Sequence, residues 1–205
     1  YPSGPVGLAG FHQADTACPI SAETWGSAYW SAQTAVAATR AVLNGAPSAY
    51  ALCRPPGQHA YADQAGGFCF LNNSAIAAQV LLKAGRRPVN LDVDVHHGNG
   101  TQGIFYARGD VLTVSIHADP TAFYPFFWGY AGETGEGDGD GTNLNLPLAM
   151  GLGTDEMLAA LDTAFVAIRG FDADVIVVAL GLDAHEAVPF QALKVTTPGF
   201  ERMAR

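Results

Sequence analysis

Short apolar runs alternate with helix-patterned segments along most of this 205-residue chain. Strands are predicted at 87–95, 110–118, 142–148 and 175–182, and helices at 24–44, 72–84 and 154–169. Alternation of this kind is typical of a parallel sheet that is covered by helices on both faces. The sequence therefore predicts an α/β fold, a three-layer sandwich with a central, mostly parallel sheet.

The segments between these elements carry weaker signals. Residues 1–24 are predicted to be loop, Tyr50–Cys53 a short strand, 101–106 a short helix, and 118–141 a long loop with an aromatic half and an acidic, glycine-rich half. Thr197 and Pro198 resemble the N-cap and first-turn proline of a last helix. That helix would have only about two turns before the sequence stops, and the chain does not begin with methionine. We therefore expect a fragment.

Composition narrows the classes of function. Hydrophobic residues make up 49% of the chain, which is enough for a buried core. The formal net charge of −9 disfavours nucleic acid, whose phosphates require a basic surface. No apolar run approaches the roughly 18 residues of a membrane span, so no membrane partner is expected. The three cysteines lack metal-knuckle or redox spacing, which favours a reducing, cytoplasmic location.

Polar residues cluster where the predicted strands end, and open parallel sheets carry their sites at that edge. In the stretch NLDVDVHHGNG, Asp92, Asp94 and His96 alternate with apolar residues and share one face of the predicted strand. Carboxylate and imidazole ligands suit Zn²⁺ or a similar divalent metal. The alternative is that Asp94 and His96 only pair with each other or with the backbone. Burial of ionisable groups is costly unless they are paired or bound to a metal.

A metal site on this strand needs a third ligand from a neighbouring strand. Asp183 is the best candidate because it ends the apolar run VIVVALGL, while His185 and Glu186 in the same predicted loop are alternatives. His59, in the loop RPPGQHA, is a candidate for proton transfer near such a metal. A single loop histidine is more often structural, so this role depends on the rest of the site.

Five motifs occur in the order found in one enzyme superfamily. They are RPPGQHA, GGFCFLNN, LDVDVHHGNGTQ, LTVSIHA and ALGLDAHE. With them, the chain resembles the zinc-dependent histone deacetylase superfamily. The segments YPSGPVGLAGFHQADTACPI and FYPFFWGYAGETGEGDGDGTN look most like its bacterial acetylpolyamine amidohydrolases. The resemblance implies an arginase/deacetylase-like sandwich, with 1–205 as a single deacetylase-like catalytic domain that is incomplete at both termini.

The resemblance also implies two ion sites and a set of catalytic and tunnel residues. Asp94, His96 and Asp183 match zinc ligands, and His59 matches the general base and acid. The implied structural potassium ion is bound by Asp92, Asp94, His96, Ser115 and the backbone of Ile116. Asn99 matches a residue that hydrogen-bonds the catalytic histidine, and Asp92 matches the carboxylate behind the first histidine of a tandem pair. Phe68 and Tyr124 match residues of the tunnel walls, and Asp15 matches a residue near the tunnel mouth.

The implied reaction is removal of acetyl groups from acetylated polyamines or similar small amines by a metal-activated water, with His59 taking and returning a proton. A homodimer of the full-length protein is also implied. Two departures from the superfamily pattern stand out. Gln58 occupies the place of the first histidine of the pair, and glutamine cannot carry a positive charge. No residue after Asp183 matches the tyrosine that stabilises the oxyanion.

Several alternatives follow from the same residues. One alternative is a deacetylase that acts on acetyl-lysine in other proteins. Another is a catalytically impaired homologue that binds acetyl amides, in which Gln58 marks the loss of catalysis. A binuclear manganese ureohydrolase is suggested by DAHE, but it needs more carboxylate ligands than the sequence offers. The acidic half of the loop 118–141 either attracts a cationic polyamine or forms a solvated surface; its acidic residues are Glu133, Glu136, Asp138 and Asp140. Two other histidines, His97 and His117, are expected to be structural.

Overall fold

Four parallel strands form one sheet in the order β3-β2-β1-β4. They are β1 Pro88–Asp92, β2 Leu112–Ala118, β3 Asn143–Leu148 and β4 Val175–Ala179. Every neighbouring pair is parallel, and Asp92 at the end of β1 lies in register with Ser115 on β2 and Ala179 on β4. β1 and β2 are buried along their whole length, as strands inside a parallel sheet are. The predicted parallel sheet is confirmed.

Six helices accompany the sheet. They are α1 Pro5–Phe11, α2 Thr24–Leu43, α3 Asn73–Lys83, α4 Asn99–Phe105, α5 Thr154–Phe171 and α6 Thr197–Met203. The computed structural model describes residues 1–205, which form two compact units. The first unit is Tyr1–Arg86 with Asn99–Ile104, and the second is Arg87–Gly98 with Phe105–Arg205. None of the helices combines the length and the hydropathy that crossing a bilayer requires.

In the first unit, α2 packs against α3. Both helices bury alanine-rich faces, which let their backbones approach closely. The side chain of Asn72 caps α3 by accepting a hydrogen bond from the Ala75 N–H at 2.9 Å. Both helices begin and end close to their predicted residues, so these two predictions are confirmed.

In the second unit, α5 packs on β2 and β3 through one apolar face. The side chains that it buries are Met157, Ala160, Leu161, Ala164 and Ile168. They join the buried residues of β1 and β2 in the largest hydrophobic cluster of this unit. The start of α5 is closed by the Glu156 carboxylate, which accepts a hydrogen bond from the Gly153 N–H at 3.0 Å. The cap at the start of α5 and the burial of its apolar face therefore both fix the position of this helix.

Met157→Ala is expected to destabilise the protein by about 2–5 kcal/mol, since a fully buried side chain would leave a cavity in this cluster. Val166→Ala on the same helix is the matched control, because Val166 is 65% exposed. We expect the control to change the free energy of unfolding by less than about 0.5 kcal/mol. Denaturant unfolding of both variants measures the difference. Similar small losses in the two variants would contradict the position of the core.

Two of the four strands, β1 and β4, end earlier than the apolar pattern predicts. β1 stops at Asp92, so Asp94 and His96 lie in the following loop. The prediction that they share a strand face is therefore wrong. Asp92 Oδ1 accepts a hydrogen bond from the Asp94 N–H at 3.0 Å, and Asp94 Oδ1 accepts one from the His96 N–H at 2.8 Å. These side chains take backbone donors that a longer strand would have used in its ladder. β4 also stops early, and Asp183 lies in its following loop.

Three other predictions about local structure are wrong. Residues 1–24, predicted as loop, contain α1, whose first turn holds a proline preset for a helix. Tyr50–Cys53 is not a strand, because no other strand supplies it with backbone hydrogen-bond partners. The N-cap of α6 is Thr196, one residue before the prediction. Its hydroxyl accepts a hydrogen bond from the Gly199 N–H at 3.1 Å.

Candidate functional site

Asp94, His96 and Asp183 form a three-residue cluster in the second unit. Each offers one ligand atom, and these atoms lie within 4.8 Å of one another. His96 Nδ1 is 3.0 Å from Asp94 Oδ1 and 3.0 Å from Asp183 Oδ2. The Val95 N–H donates to Asp183 Oδ1 at 3.0 Å, which fixes the carboxylate against the first loop. The loop after β1 thus supplies Asp94 and His96, and the loop after the adjacent parallel strand β4 supplies Asp183. The sequence predicted that Asp183 would come from a neighbouring strand.

The cluster behaves electrostatically as a cation site. Burial opposes protonation of His96, but hydrogen bonds to Asp183 and Asp94 outweigh it and raise the pKa of the imidazole to about 9. The pKa of Asp183 is lowered, because the hydrogen bond to His96 outweighs the effect of burial. Two carboxylates therefore hold one positive charge between them. The ion pair between Asp94 and His96, which was the alternative to a metal site, is therefore present in the structure.

The donor set also fits a divalent metal. Two carboxylates and an imidazole are three nitrogen and oxygen donors of the types that bind zinc, and catalytic zinc sites have three protein ligands. Gly181 allows this arrangement, since a Cβ at that position would lie 2.1 Å from Asp94 Oδ2. A glycine is needed for the loop after β4 to approach Asp94. His185 and Glu186, the alternative third ligands, are not members of the cluster, and His185 Nε2 bonds the Thr197 hydroxyl at 2.9 Å.

His59 and Asn99 form a buried pair in the first unit. His59 Nδ1 lies 2.6 Å from Asn99 Oδ1, and both side chains are almost fully buried. The amide oxygen only accepts, so Nδ1 carries a hydrogen and Nε2 of the neutral ring keeps its lone pair. Asn99 Nδ2 donates to the Tyr61 hydroxyl at 3.1 Å, which fixes the orientation of the amide. Tyr61 was not identified from the sequence, since a loop tyrosine carries no spacing signal.

Residues 5–205 match the family model of the histone deacetylase domain. The chain belongs to the histone deacetylase family. It is 52% identical to acetylpolyamine amidohydrolase from Burkholderia pseudomallei over 98% of this chain and 59% of that relative. It is also 52% identical to acetylpolyamine amidohydrolase 1 from Pseudomonas aeruginosa, again over 98% of this chain and 59% of the relative. The chain therefore spans about 59% of the length of these relatives.

Solved structures agree with the family assignment. The crystal structure of acetylpolyamine aminohydrolase from Burkholderia pseudomallei superposes with a TM-score of 0.95 at 51% identity, covering 98% of this chain and 59% of that one. A histone deacetylase homologue complexed with SAHA superposes with a TM-score of 0.80 at 33% identity, covering 86% of this chain and 47% of that one. These similarities confirm the predicted α/β fold class of the deacetylase type.

Aromatic rings surround His96 of this histone deacetylase family member. Phe123 stacks on the His96 ring with centroids 4.8 Å apart and planes at 20°. Tyr124, a predicted tunnel residue, meets His96 edge-on at 6.1 Å. Phe190 meets it edge-on at the same centroid distance, 6.1 Å, and is 62% exposed. Phe190 was not identified from the sequence, because a single aromatic residue in a proline-containing loop has no periodic signal.

The residues of the implied potassium site lie at the end of β1, in the loop that follows it, and within β2. Asp92 is buried, and its Oδ2 atom has no hydrogen-bond partner. Burial raises its pKa well above the usual range, and the charge of Asp94 adds to that rise. Ser115 lies in register with Asp92, and Ile116 is fully buried beside it. A buried carboxylate oxygen without a donor is a group that a bound cation would stabilise, so these residues fit a cation.

His97 and His117 are both fully buried in the second unit. His117 Nε2 donates to the Gly129 carbonyl at 2.9 Å, and its Nδ1 accepts from the Ser115 hydroxyl at 2.8 Å. Burial lowers the pKa of His117 to about 4, against the raising effect of the bond to Gly129. The His97 and His117 rings lie 4.6 Å apart. His117 is thus a neutral link between the strand end and the loop.

The remaining predicted residues lie in the first unit. Phe68 is 66% exposed and has a φ of 67°, a backbone conformation that a bulky side chain rarely adopts. Asp15 supports this turn, since its Oδ2 accepts from the Gly67 N–H at 2.9 Å. Gln58 is partly buried, and its Oε1 accepts a hydrogen bond from the Gly57 N–H at 3.3 Å. Asp15 therefore supports the turn that presents Phe68.

Proposed function

We propose that the intact protein is a metal-dependent amidohydrolase that removes acetyl groups from acetylated polyamines or similar small amines. The observation that carries the proposal is the Asp94–His96–Asp183 cluster, whose ligand atoms lie within 4.8 Å of one another. It occurs in a chain 52% identical to acetylpolyamine amidohydrolases. We propose further that residues 1–205 are part of one catalytic domain.

The proposed ions are Zn²⁺ at the cluster and K⁺ at Asp92, Asp94, His96, Ser115 and Ile116. The nitrogen and oxygen donors of the cluster support zinc or a similar divalent ion, and the unpartnered Asp92 Oδ2 supports the second cation. When bound, the divalent ion supplies polarisation of an acyl carbonyl and a lowered pKa of water. The two carboxylates and the imidazole would hold that ion and set the net charge of the site.

His59 is the proposed proton carrier. Because Asn99 holds Nδ1–H, Nε2 is the atom that takes a proton from water and later gives it to the departing amine. Asn99 keeps the ring in one tautomer and one orientation. Phe68, Tyr124 and Asp15 are proposed as substrate-tunnel residues. The neutral Gln58 supplies no positive charge there, so we expect a slower enzyme than relatives with histidine.

Acetate release by the intact protein tests the substrate class. We expect a higher kcat/KM for acetylputrescine than for an acetyl-lysine peptide, since the relatives at 52% identity are acetylpolyamine amidohydrolases. Equal or better turnover of the peptide would favour the protein deacetylase instead. Absence of acetate release from either substrate, with binding retained, would favour the impaired binding homologue that Gln58 suggests. The homodimer and the cytoplasmic location stay predictions, and light scattering of the intact protein tests the first.

A further inference from the structure

The carboxylate of Glu133 lies at the base of the aromatic loop, defined as residues 121–130. Glu133 Oε2 accepts a hydrogen bond from the Gly129 N–H at 2.9 Å and another from Asn145 Nδ2 at 3.2 Å. One oxygen atom thus joins the end of the loop to a side chain of β3. The exposed acidic residues that follow, such as Glu136, make no such connection to the loop in this geometry.

Two buried asparagines of β3 reinforce this junction. Asn145 Nδ2 also donates to the Tyr130 carbonyl at 3.2 Å. Asn143 Nδ2 donates to the Glu133 carbonyl at 2.6 Å. Both asparagines are buried within the sheet, so their positions are fixed by the strand. Glu133 is therefore held by the sheet on one side and holds the loop on the other.

Gly129 connects this junction to the loop that carries His96. Its carbonyl accepts from His117 Nε2 at 2.9 Å, and His117 in turn bonds Ser115 Oγ at 2.8 Å. Ser115 Oγ accepts from the Gly98 N–H at 3.4 Å, two residues after His96. Gly129 has a φ of 112°, and a Cβ there would lie 2.8 Å from His97 Cγ. The loop thus ends in a fixed, closely packed position.

The other part of the aromatic loop contacts the cluster itself. Phe123 stacks on His96 at 4.8 Å, and Tyr124 lies edge-on to the same ring at 6.1 Å. Phe126 has a φ of 71°, a strained conformation that persists only where the surroundings hold it. The loop makes no strand of its own, so side-chain contacts along it and at its ends hold its position. Glu133 provides the charged contact at one end.

We propose that Glu133 is a positioning residue that holds the aromatic loop, and with it Phe123 and Tyr124, against His96. This inference rests on the proposed function, and it assigns Glu133 a role different from attraction of a cationic substrate. The role needs an acceptor oxygen at this position and does not need a negative charge. Glutamine supplies such an oxygen, whereas alanine does not.

The experiment compares Glu133→Ala, Glu133→Gln and the control Glu136→Ala in the intact protein. Kinetics with acetylputrescine are measured together with amide hydrogen exchange of residues 121–130. We expect kcat/KM to fall about 10- to 100-fold in Glu133→Ala, since small displacements of positioning groups have effects of this size. Exchange in the loop is expected to accelerate in the same variant. Glu133→Gln should restore both quantities, and Glu136→Ala should change neither.

Two other outcomes would overturn the inference. Equal losses in Glu133→Ala and Glu133→Gln through a raised KM, with loop exchange unchanged, would assign Glu133 a charge role. Acceleration of exchange throughout the protein in Glu133→Ala would show a general structural role. If the wild-type protein releases no acetate, the proposed function fails. The exchange of residues 121–130 in the three variants then still decides whether Glu133 holds the loop.

Discussion

Asp183→Asn is expected to abolish metal binding and acetate release by the intact protein. Asparagine has nearly the shape of aspartate, and its oxygen can still accept the hydrogen bond from the Val95 N–H. The variant therefore removes a charge and a ligand with little change in packing. Loss of groups that only orient metal ligands already weakens binding about 10- to 100-fold, so loss of a ligand should exceed that.

The control for this variant is Asp162→Asn, an exposed carboxylate on α5 that lies outside the cluster. Metal content by elemental analysis and the rise in Tm on addition of Zn²⁺ are measured for both variants. We expect wild-type behaviour of the control and neither bound metal nor a Tm rise in Asp183→Asn. A full complement of metal in Asp183→Asn would mean that Asp183 is not a required ligand and only pairs with His96, as ions do in ordinary salt bridges.

The sequence allowed prediction of what depends on local pattern. The apolar run before Asp183 predicted a strand whose following loop carries a carboxylate. Asn72 or Asn73 was the expected cap of the helix predicted at 72–84, and Asn72 is the one that bonds the Ala75 N–H. Both signals come from the chemistry of adjacent residues. The alternation of polar and apolar residues through Asp94 and His96 is also a signal from adjacent residues, but here it was misleading. It indicates a strand, whereas the carboxylates of Asp92 and Asp94 capture backbone donors and turn the chain.

Contacts between distant segments were not predictable from pattern. Phe190 meets His96 only because the loop after β4 folds back beside the loop after β1. Gly181 matters because a side chain there would occupy the space of Asp94. Glu133 had the same sequence signature as its acidic neighbours, and its bonds to Gly129 and Asn145 distinguish it. Such features depend on tertiary packing, which composition and spacing do not encode in a single sequence.

His59→Ala is expected to lower kcat by about 100- to 10,000-fold, the range typical of losing a general base and acid. Unlike Asp183→Asn, it should leave the metal content unchanged, because His59 is not a member of the metal cluster. The contrast between the two variants separates binding of the ion from transfer of the proton. An unchanged kcat would remove His59 from the proposed mechanism and leave its bond to Asn99 as structural.

Two further variants make the assignment of His59 sharper. His12→Ala removes a partly buried histidine of the same unit, bonded to Tyr1 and to the Asp63 carbonyl, and should leave kcat unchanged. Asn99→Ala keeps the imidazole but removes the acceptor that holds Nδ1, so the ring loses its fixed tautomer. We expect a smaller fall in kcat than in His59→Ala. A fall in Asn99→Ala alone would instead assign the catalytic effect to Asn99 and its bond to Tyr61.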